Sequence, residues 1–569
     1  MLLAALAALV VPSAAAAART SVELMPGITH IKDVRRVGGS RVVFHIARGP
    51  KPGGLYGLRP VLSNNRIRGL ETLSSMQRRL LRRSNMVGIN GDFFTWSTGA
   101  PSGIYLQNNV LMTTPLVSRS ALGIGEDGLL RIGRVGFAGT FKIGDSPIHR
   151  LRQFNRVLQR TRGVALYSRS WGDRTPVVRR ARELIIKDVT RTFPNTDRAG
   201  IVVKLVRGSG HAIPPGGAVL QARGAAREIL TQEAAPGLVL SFHLGLEGWW
   251  ENVENGLGGG PLLVRGGVAV YRPGEAFTSY QVDLRHPRSA IGQLPDGRII
   301  MIVADGRSTV SRGLTMNQLA NAMVYYGAEN AMALDGGGSS ELAFNGRVLN
   351  VPSDKIERPL SNSLQLVYIG VYARKPLRGV FSPNGDGYHD VQRLYAKLVR
   401  RSDVRLRLLR PDGTLKWELQ GDRDPGVTTK RLRAQGLVEG TWRWVAEATD
   451  RRGRESRMVR RFRVNNTLGY LTLSKRTMRV RLGHGGRLRI GFTSTHTANV
   501  KVQIERRGRI IRHLVARDGL PPGAYAVIWN GRNDAGKVVR TGRVAVSVQA
   551  RNSLGGVDLR KGLRVERVS

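Results

Sequence analysis

The chain has no cysteine in 569 residues, which removes disulfides, thiolate metal sites and cysteine nucleophiles from consideration. That lack does not argue against export, because a chain of this size builds cores that need no covalent staples. Beyond the first residues no stretch offers the roughly 20 uncharged apolar residues of a helical membrane span, so none is expected. The ten histidines show no His-x-x-x-His pattern, which argues against a catalytic zinc site. Acidic residues are scarce: 41 Asp and Glu face 89 Lys and Arg, for a formal charge of +48. Such a balance draws a protein toward polyanions. The cations run from Arg19 to Arg567 instead of forming one arm, so no specific nucleic-acid partner is expected, and biased codon usage is an alternative source of the surplus.

What is present is an ordinary globular composition, 41% hydrophobic and 23% charged, long enough for two to four domains. Leu2 to Val11 is apolar and is followed by Pro12, Ser13 and alanines to Ala18. Residues 1–18 read as a signal peptide, which implies a secreted or envelope-associated protein; a buried N-terminal helix is the alternative. From 19 to 374 helical and strand patterns mix, and the expected fold there is an α+β catalytic domain, a mixed sheet with helices. Past Lys375 alternating strands take over, as in Arg405-Leu406-Arg407-Leu408. Gly440 to Gly453 and Gly542 to Gly555 repeat one spacing, which predicts two β-sandwich modules at 375–466 and 467–569.

In the first region Thr315-Met316-Asn317-Gln318 has capping-box form and opens a helix ended by Gly327. The apolar strand Ala331–Leu334 follows, then the turn Asp335-Gly336-Gly337-Gly338-Ser339-Ser340. No Gly-Lys-[Ser/Thr] follows that turn, so it is not a nucleotide P-loop. A helical stretch from Glu71 to Arg83, a strand Met86–Ile89 and the turn Asn90-Gly91-Asp92-Phe93-Phe94 repeat the plan. The two turns are expected to share a cleft at the strand ends. Between them lie His286-Pro287-Arg288 and a strand ending in Asp305-Gly306-Arg307.

Asp92, Asp305 and Asp335 are the candidate catalytic carboxylates, since glycosidic or phosphoester cleavage needs an acid, base or nucleophile. Arg288 and Arg307 suit a phosphate by bidentate bonding, and Gly336, Gly337 and Gly338 let backbone N–H groups approach its oxygens. Each Asp-Gly alone is more often an ordinary β-turn and each Arg more often a solvated surface residue; their joint placement after apolar strands favours the site. A Ser339 nucleophile would need a base, for which His286 is the candidate. Trp249-Trp250 reads as a sugar platform or a buried aromatic pair.

Asn90-Gly91-Asp92-Phe93-Phe94, Gly99-Ala100-Pro101-Ser102-Gly103, Gly258-Gly259-Gly260-Pro261, Arg285 to Gly292, Asp305-Gly306-Arg307 and Leu334 to Ser340 together resemble the phosphodiester glycosidases. The resemblance spans roughly residues 80–372. It implies hydrolysis of a sugar 1-phosphodiester, with Asn90, Asp92, Arg288, Asp305, Arg307, Asp335 and Ser339 lining the site. The substrate it points to is a phosphate-bearing glycan of the envelope or exterior; a non-catalytic protein binding the same anionic glycan is the alternative. Phe381-Ser382-Pro383-Asn384-Gly385-Asp386-Gly387 and Trp529 to Gly536 resemble the Ig-like modules of flagellar hook-capping proteins. Asn384, Asp386 and Asp390 are candidates for a divalent cation such as calcium, or form a turn held by Asn and Asp side chains. No other cofactor is implied.

Overall fold

The computed structural model describes residues 18–158, 162–189, 191–248, 250, 252–383, 390–433, 437–481 and 484–568. Residues 1–17 of the expected signal peptide, Trp249, Asn384 and Asp386 lie outside them. Two compact units result, Met1–Ile369 and Gly370–Ser569.

The first unit is nearly all β, which corrects the expected α+β domain. The expected helices near 71–83 and 316–326 exist as Leu73–Leu80 and Met316–Tyr325, but few others join them. One eight-stranded sheet runs, in spatial order, Ala18–Met25, Ile28–Val37, Ser40–Gly49, Ile299–Ala304, Arg288–Gln293, Asn330–Ala333, Leu262–Arg265 and Val268–Ala269. A five-stranded sheet runs Arg347–Val348, Leu342–Phe344, Asn85–Asn90, Asn362–Tyr368 and Tyr56–Leu62. Every pairing in both is antiparallel. Antiparallel neighbours need no crossover helix, and this is why so few helices occur.

The misreading has a physical cause. Ile299–Ala304 and Asn85–Asn90 are buried at every position, and Ile299–Ala304 and Met86–Ile89 read as uncharged, non-alternating runs of the kind parallel α/β strands show. Here the cover on the large sheet includes the helix Met316–Tyr325, whose Leu319, Ala320 and Met323 share one core with Phe44, Ile300 and Ile302. Thr315 caps that helix and Gln318 closes the capping box. Two further sheets, of eight and five strands, complete the unit.

The second unit contains one plan twice, a three-stranded sheet and a five-stranded sheet. In the first copy the strands are Tyr372–Ala373, Val391–Leu398 and Gly426–Arg433, with Val380–Phe381, Glu455–Val464, Gly440–Asp450, Ser402–Leu409 and Leu415–Arg423. Inward and outward residues alternate, as over Ser402–Leu409. In the second copy Ile490 and Phe492 of the small sheet share a core with Val502 and Val546 of the large one.

Candidate active site

Two turns from different sheets meet. Asp335 donates its backbone N–H to the carbonyl of Gly91 at 3.0 Å, and the Asn90 side-chain amide donates to the carbonyl of Asp335 at 2.7 Å. The Asn90 side-chain oxygen accepts from the Ser289 hydroxyl at 2.6 Å and from the Glu341 N–H at 3.2 Å. Fully buried, Asn90 therefore joins the strand ends and leaves little of its amide for a ligand.

Beside this junction lies a cavity of about 170 Å³, walled by Asp335, Gly336, Gly337 and Gly338 on one side and by His286, Arg288, Arg307 and Arg358 on others. Gly337 has φ +64° and donates its N–H to the Pro287 carbonyl at 2.9 Å. A Cβ at Gly338 would sit 2.1 Å from the Arg358 guanidinium, so the glycines let that cation reach the turn. Asp335 faces the cavity, half-buried, with protein packed closely around its carboxyl. Burial lifts its pKa to about 6 against the opposing pull of the Ser339 hydroxyl, the Gly336 N–H, Arg358 and Arg119. Ser339 itself is fully buried.

Asp92 is buried, 3% exposed. Its carboxylate accepts from the Gly103 N–H at 2.5 Å, and its own N–H donates to the Asn362 side chain at 2.9 Å. Gly103 and Gly258 make room for it: a Cβ on either would meet the other's Cα at 2.6 Å and press on the carboxylate. Burial raises the Asp92 pKa to about 7; Gly103, Arg119 and Arg156 oppose the rise, and Asp335 adds to it. The two carboxyls thus interact electrostatically.

The cations differ in kind. Arg288 donates to the carbonyls of Leu314, Gln281 and Leu284 at 2.8, 2.6 and 2.8 Å. Most of its hydrogen-bonding capacity ties loops to a strand, and burial lowers its pKa to about 10. Arg307 is exposed at the cavity mouth with φ +58°, and one of its nitrogens lies 3.1 Å from His286 Nδ1. No carboxylate pairs with Arg307 among the described residues. His286 Nε2 lies 3.0 Å from the Tyr280 carbonyl, so it carries the proton and Nδ1 accepts from Arg307. Burial, then Arg288 and Arg307, lower the His286 pKa, while the Tyr280 carbonyl opposes them. Both ring nitrogens are engaged, which leaves neither to activate Ser339.

Asp305 is not in the cavity wall. Its carboxylate lies 3.3 Å from His45 Nε2 and accepts from the Val351 N–H at 3.2 Å and the Asn350 amide at 3.3 Å. The Asn350 amide also donates to the Ser340 carbonyl at 3.0 Å, so Asp305 braces the loop that follows the glycine turn. Trp250 is buried.

Several residues at the site carried no usable signal in the sequence. Arg358 is paired to Asp354 at 2.5 Å, borders the cavity and stands 5.2 Å from the ring of Trp96, which is 68% exposed. Arg119 lies over the Phe93 and Phe277 rings at 4.8 and 4.1 Å and acts electrostatically on both Asp92 and Asp335. Isolated arginines in a chain with 89 Lys and Arg stand out only once folding groups them. Among the described residues no three His, Asp or Glu side chains are arranged to hold a metal ion.

Residues 186–367 match the phosphodiester glycosidase family. The matched segment holds Arg288, Arg307, Asp335 and the glycine turn, and Asn90 and Asp92 lie before it. A prophage-derived uncharacterized protein of Bacillus subtilis is 40% identical over 97 residues, 17% of this chain and 15% of that protein. The mouse N-acetylglucosamine-1-phosphodiester alpha-N-acetylglucosaminidase is 37% identical over 73 residues, 13% of this chain and 14% of that enzyme. The chain thus spans about a seventh of the length of these relatives. Among solved structures, a hypothetical protein from Synechocystis shares the fold at TM-score 0.55 and 23% identity, covering 62% of this chain and 64% of that one.

Proposed function

We propose that the chain is an exported hydrolase that cleaves the glycosidic bond of a sugar 1-phosphodiester, on an envelope or extracellular glycan, in the cavity beside Asp335. The observation that carries this reading is a carboxyl with a pKa of about 6 facing a cavity bordered by Arg307 and Arg358. In the reaction, water attacks the anomeric carbon and its proton passes to Asp335 acting as base. The carbon–oxygen bond to the phosphate breaks, and that electron pair leaves with the phosphate monoester. Such a group departs as an anion, so it asks for cations more than for a proton donor. Arg307 and Arg358 supply them. Asp92, buried behind Phe93, is a positioning residue whose field helps set the protonation of the pair.

The test uses the purified full chain with UDP-N-acetylglucosamine and a methyl phosphodiester of N-acetylglucosamine 1-phosphate as substrates. Release of free sugar that is lost in Asp335→Asn and sharply weakened in Arg307→Ala is expected. Absence of turnover, or turnover indifferent to both changes, overturns the proposal, and binding without product would assign the cavity to a glycan-binding protein.

A further inference from the structure

The small sheet Tyr372–Ala373, Val391–Leu398, Gly426–Arg433 buries Gln392, Leu394, Ala396 and Leu398 on its inner face. Its outer face carries Arg393, Tyr395 and Lys397 on the central strand, and Arg431 and Arg433 on the edge strand; all but the half-exposed Tyr395 and Lys397 are exposed. Arg374 adds its guanidinium 5.8 Å from the Tyr395 ring. No Asp or Glu occupies an outward position on these strands among the described residues, and the side chains of Arg374, Arg393, Arg431 and Arg433 make no hydrogen bond or ion pair there. Arg393 stands directly opposite Arg431 in the ladder. Like charges in that position destabilise a sheet.

Protection of a sheet edge explains only part of this arrangement. Charges that block edge pairing belong on an edge, which covers Arg431 and Arg433. On the middle strand Tyr372–Ala373 pairs only Lys397 and Ala396, so Arg393 has a ladder partner on one side alone. Yet edge protection does not call for two cations face to face with no carboxylate beside them. The other large sheet of the same module shows the ordinary solution: Arg405 pairs with Glu418 and Arg407 with Glu447. Strand geometry spaces cations two residues apart by about 6.6 Å, with neighbouring strands about 4.8 Å away. A linear phosphodiester polymer presents one negative charge per repeat on a comparable scale. Nucleic acid fits less well, because single strands are held by rows of exposed rings, and here Tyr395 lies under Arg374 while Tyr372, opposite Lys397, is buried.

We propose that this face, centred on Arg393 and Arg431, binds a phosphodiester-linked glycan polymer and so holds the chain on its anionic substrate matrix. Binding here does not depend on catalysis at Asp335.

The experiment measures binding of labelled poly(glycerol phosphate) to the full chain carrying Asp335→Asn, which separates binding from turnover. A single-stranded oligonucleotide of equal charge is the second probe. Arg393→Glu/Arg431→Glu/Arg433→Glu is compared with a control that reverses three exposed cations of the first unit, Arg66→Glu/Arg82→Glu/Arg83→Glu. The face variant is expected to weaken polymer binding about 100-fold and to reduce the slope of log K against log salt by about 2 to 3, while the control changes affinity less than about 5-fold. Equal losses in the two variants, or no loss in the first, overturn the proposal; so does an oligonucleotide that binds as tightly and is lost with the same face. Arg393→Gln/Arg431→Gln/Arg433→Gln guards against a folding failure: it is expected to lose the polymer while its melting temperature holds or rises, because the like-charge repulsion is gone. A Gln variant that keeps full affinity also overturns the proposal.

Discussion

The Asn90 side chain holds the backbone carbonyl of Asp335 at 2.7 Å, so a fully buried residue sets the position of a carboxyl that faces the cavity. The oxygen of that amide accepts from the Ser289 hydroxyl and the Glu341 N–H, which ties the ends of three strands to one side chain.

Replacing Asn90 with Ala should therefore cost stability first. A buried carbonyl, a hydroxyl and an N–H each lose a partner, and stranding such groups costs about 1–3 kcal/mol apiece before relaxation. Urea unfolding should show a loss of about 2 kcal/mol or more, with turnover per folded molecule also reduced because Asp335 is no longer fixed. Wild-type stability in Asn90→Ala would mean that the junction is held elsewhere.

Arg288 and Arg307 should separate cleanly. Arg288→Ala takes the donor from the carbonyls of Gln281 and Leu284, while that of Leu314 keeps the His286 N–H at 3.1 Å, and a drop of about 3 kcal/mol is expected in chemical denaturation. Lys cannot restore that planar fork. Arg307→Ala leaves an exposed position whose hydrogen-bond partner is His286; stability should stay within about 0.5 kcal/mol while KM for a phosphodiester rises roughly 10- to 100-fold, the loss of one charge-assisted contact. A reversed pattern would exchange the two roles.

Much of this arrangement is legible locally and little of it globally. The helix opened by Thr315 and Gln318, the strand ending at Ala304 and the turn Asp335–Ser340 follow from capping, apolar runs and glycine. Their assembly does not: the runs at 86–89 and 299–304 are consistent with parallel or antiparallel neighbours, because burial on both faces erases the period of two. The meeting of the two turns could be expected from their shared plan, yet which of the three aspartates faces the cavity depends on side-chain direction. Asp305 follows an apolar strand as Asp335 does, but its carboxyl is taken by His45, Val351 and Asn350.

Asp92 should make stability depend on pH. Its carboxyl ionises near 4 in an unfolded chain and at about 7 when folded, so between those values the folded state holds the extra proton. Stability from this group is complete below about pH 4 and is lost as pH rises through 7, by an amount on the order of a few kcal/mol. Asp92→Asn should flatten that slope in melts taken from pH 4.5 to 8. A slope unchanged in the variant would assign the pH dependence to other groups, such as Glu341, whose pKa burial raises to about 8.

Asp335→Asn and Asp305→Asn provide the sharpest contrast. Asp335 faces the cavity and has no ion pair to lose among the described residues, so its Asn variant should fold as well as the parent and lose turnover by about a thousandfold, within the range for removing a catalytic base. In the parent, kcat/KM should rise with pH and level off above about 6, the value at which Asp335 ionises. Asp305 has the opposite profile, with its carboxyl enclosed by His45 and two donors from residues 350 and 351. Asp305→Asn should lower the melting temperature while the acid limb of the pH profile stays in place, since the group that sets it is untouched. If instead Asp305→Asn removed turnover at full stability and displaced that limb, the base would be Asp305, and the cavity beside Asp335 would serve binding alone.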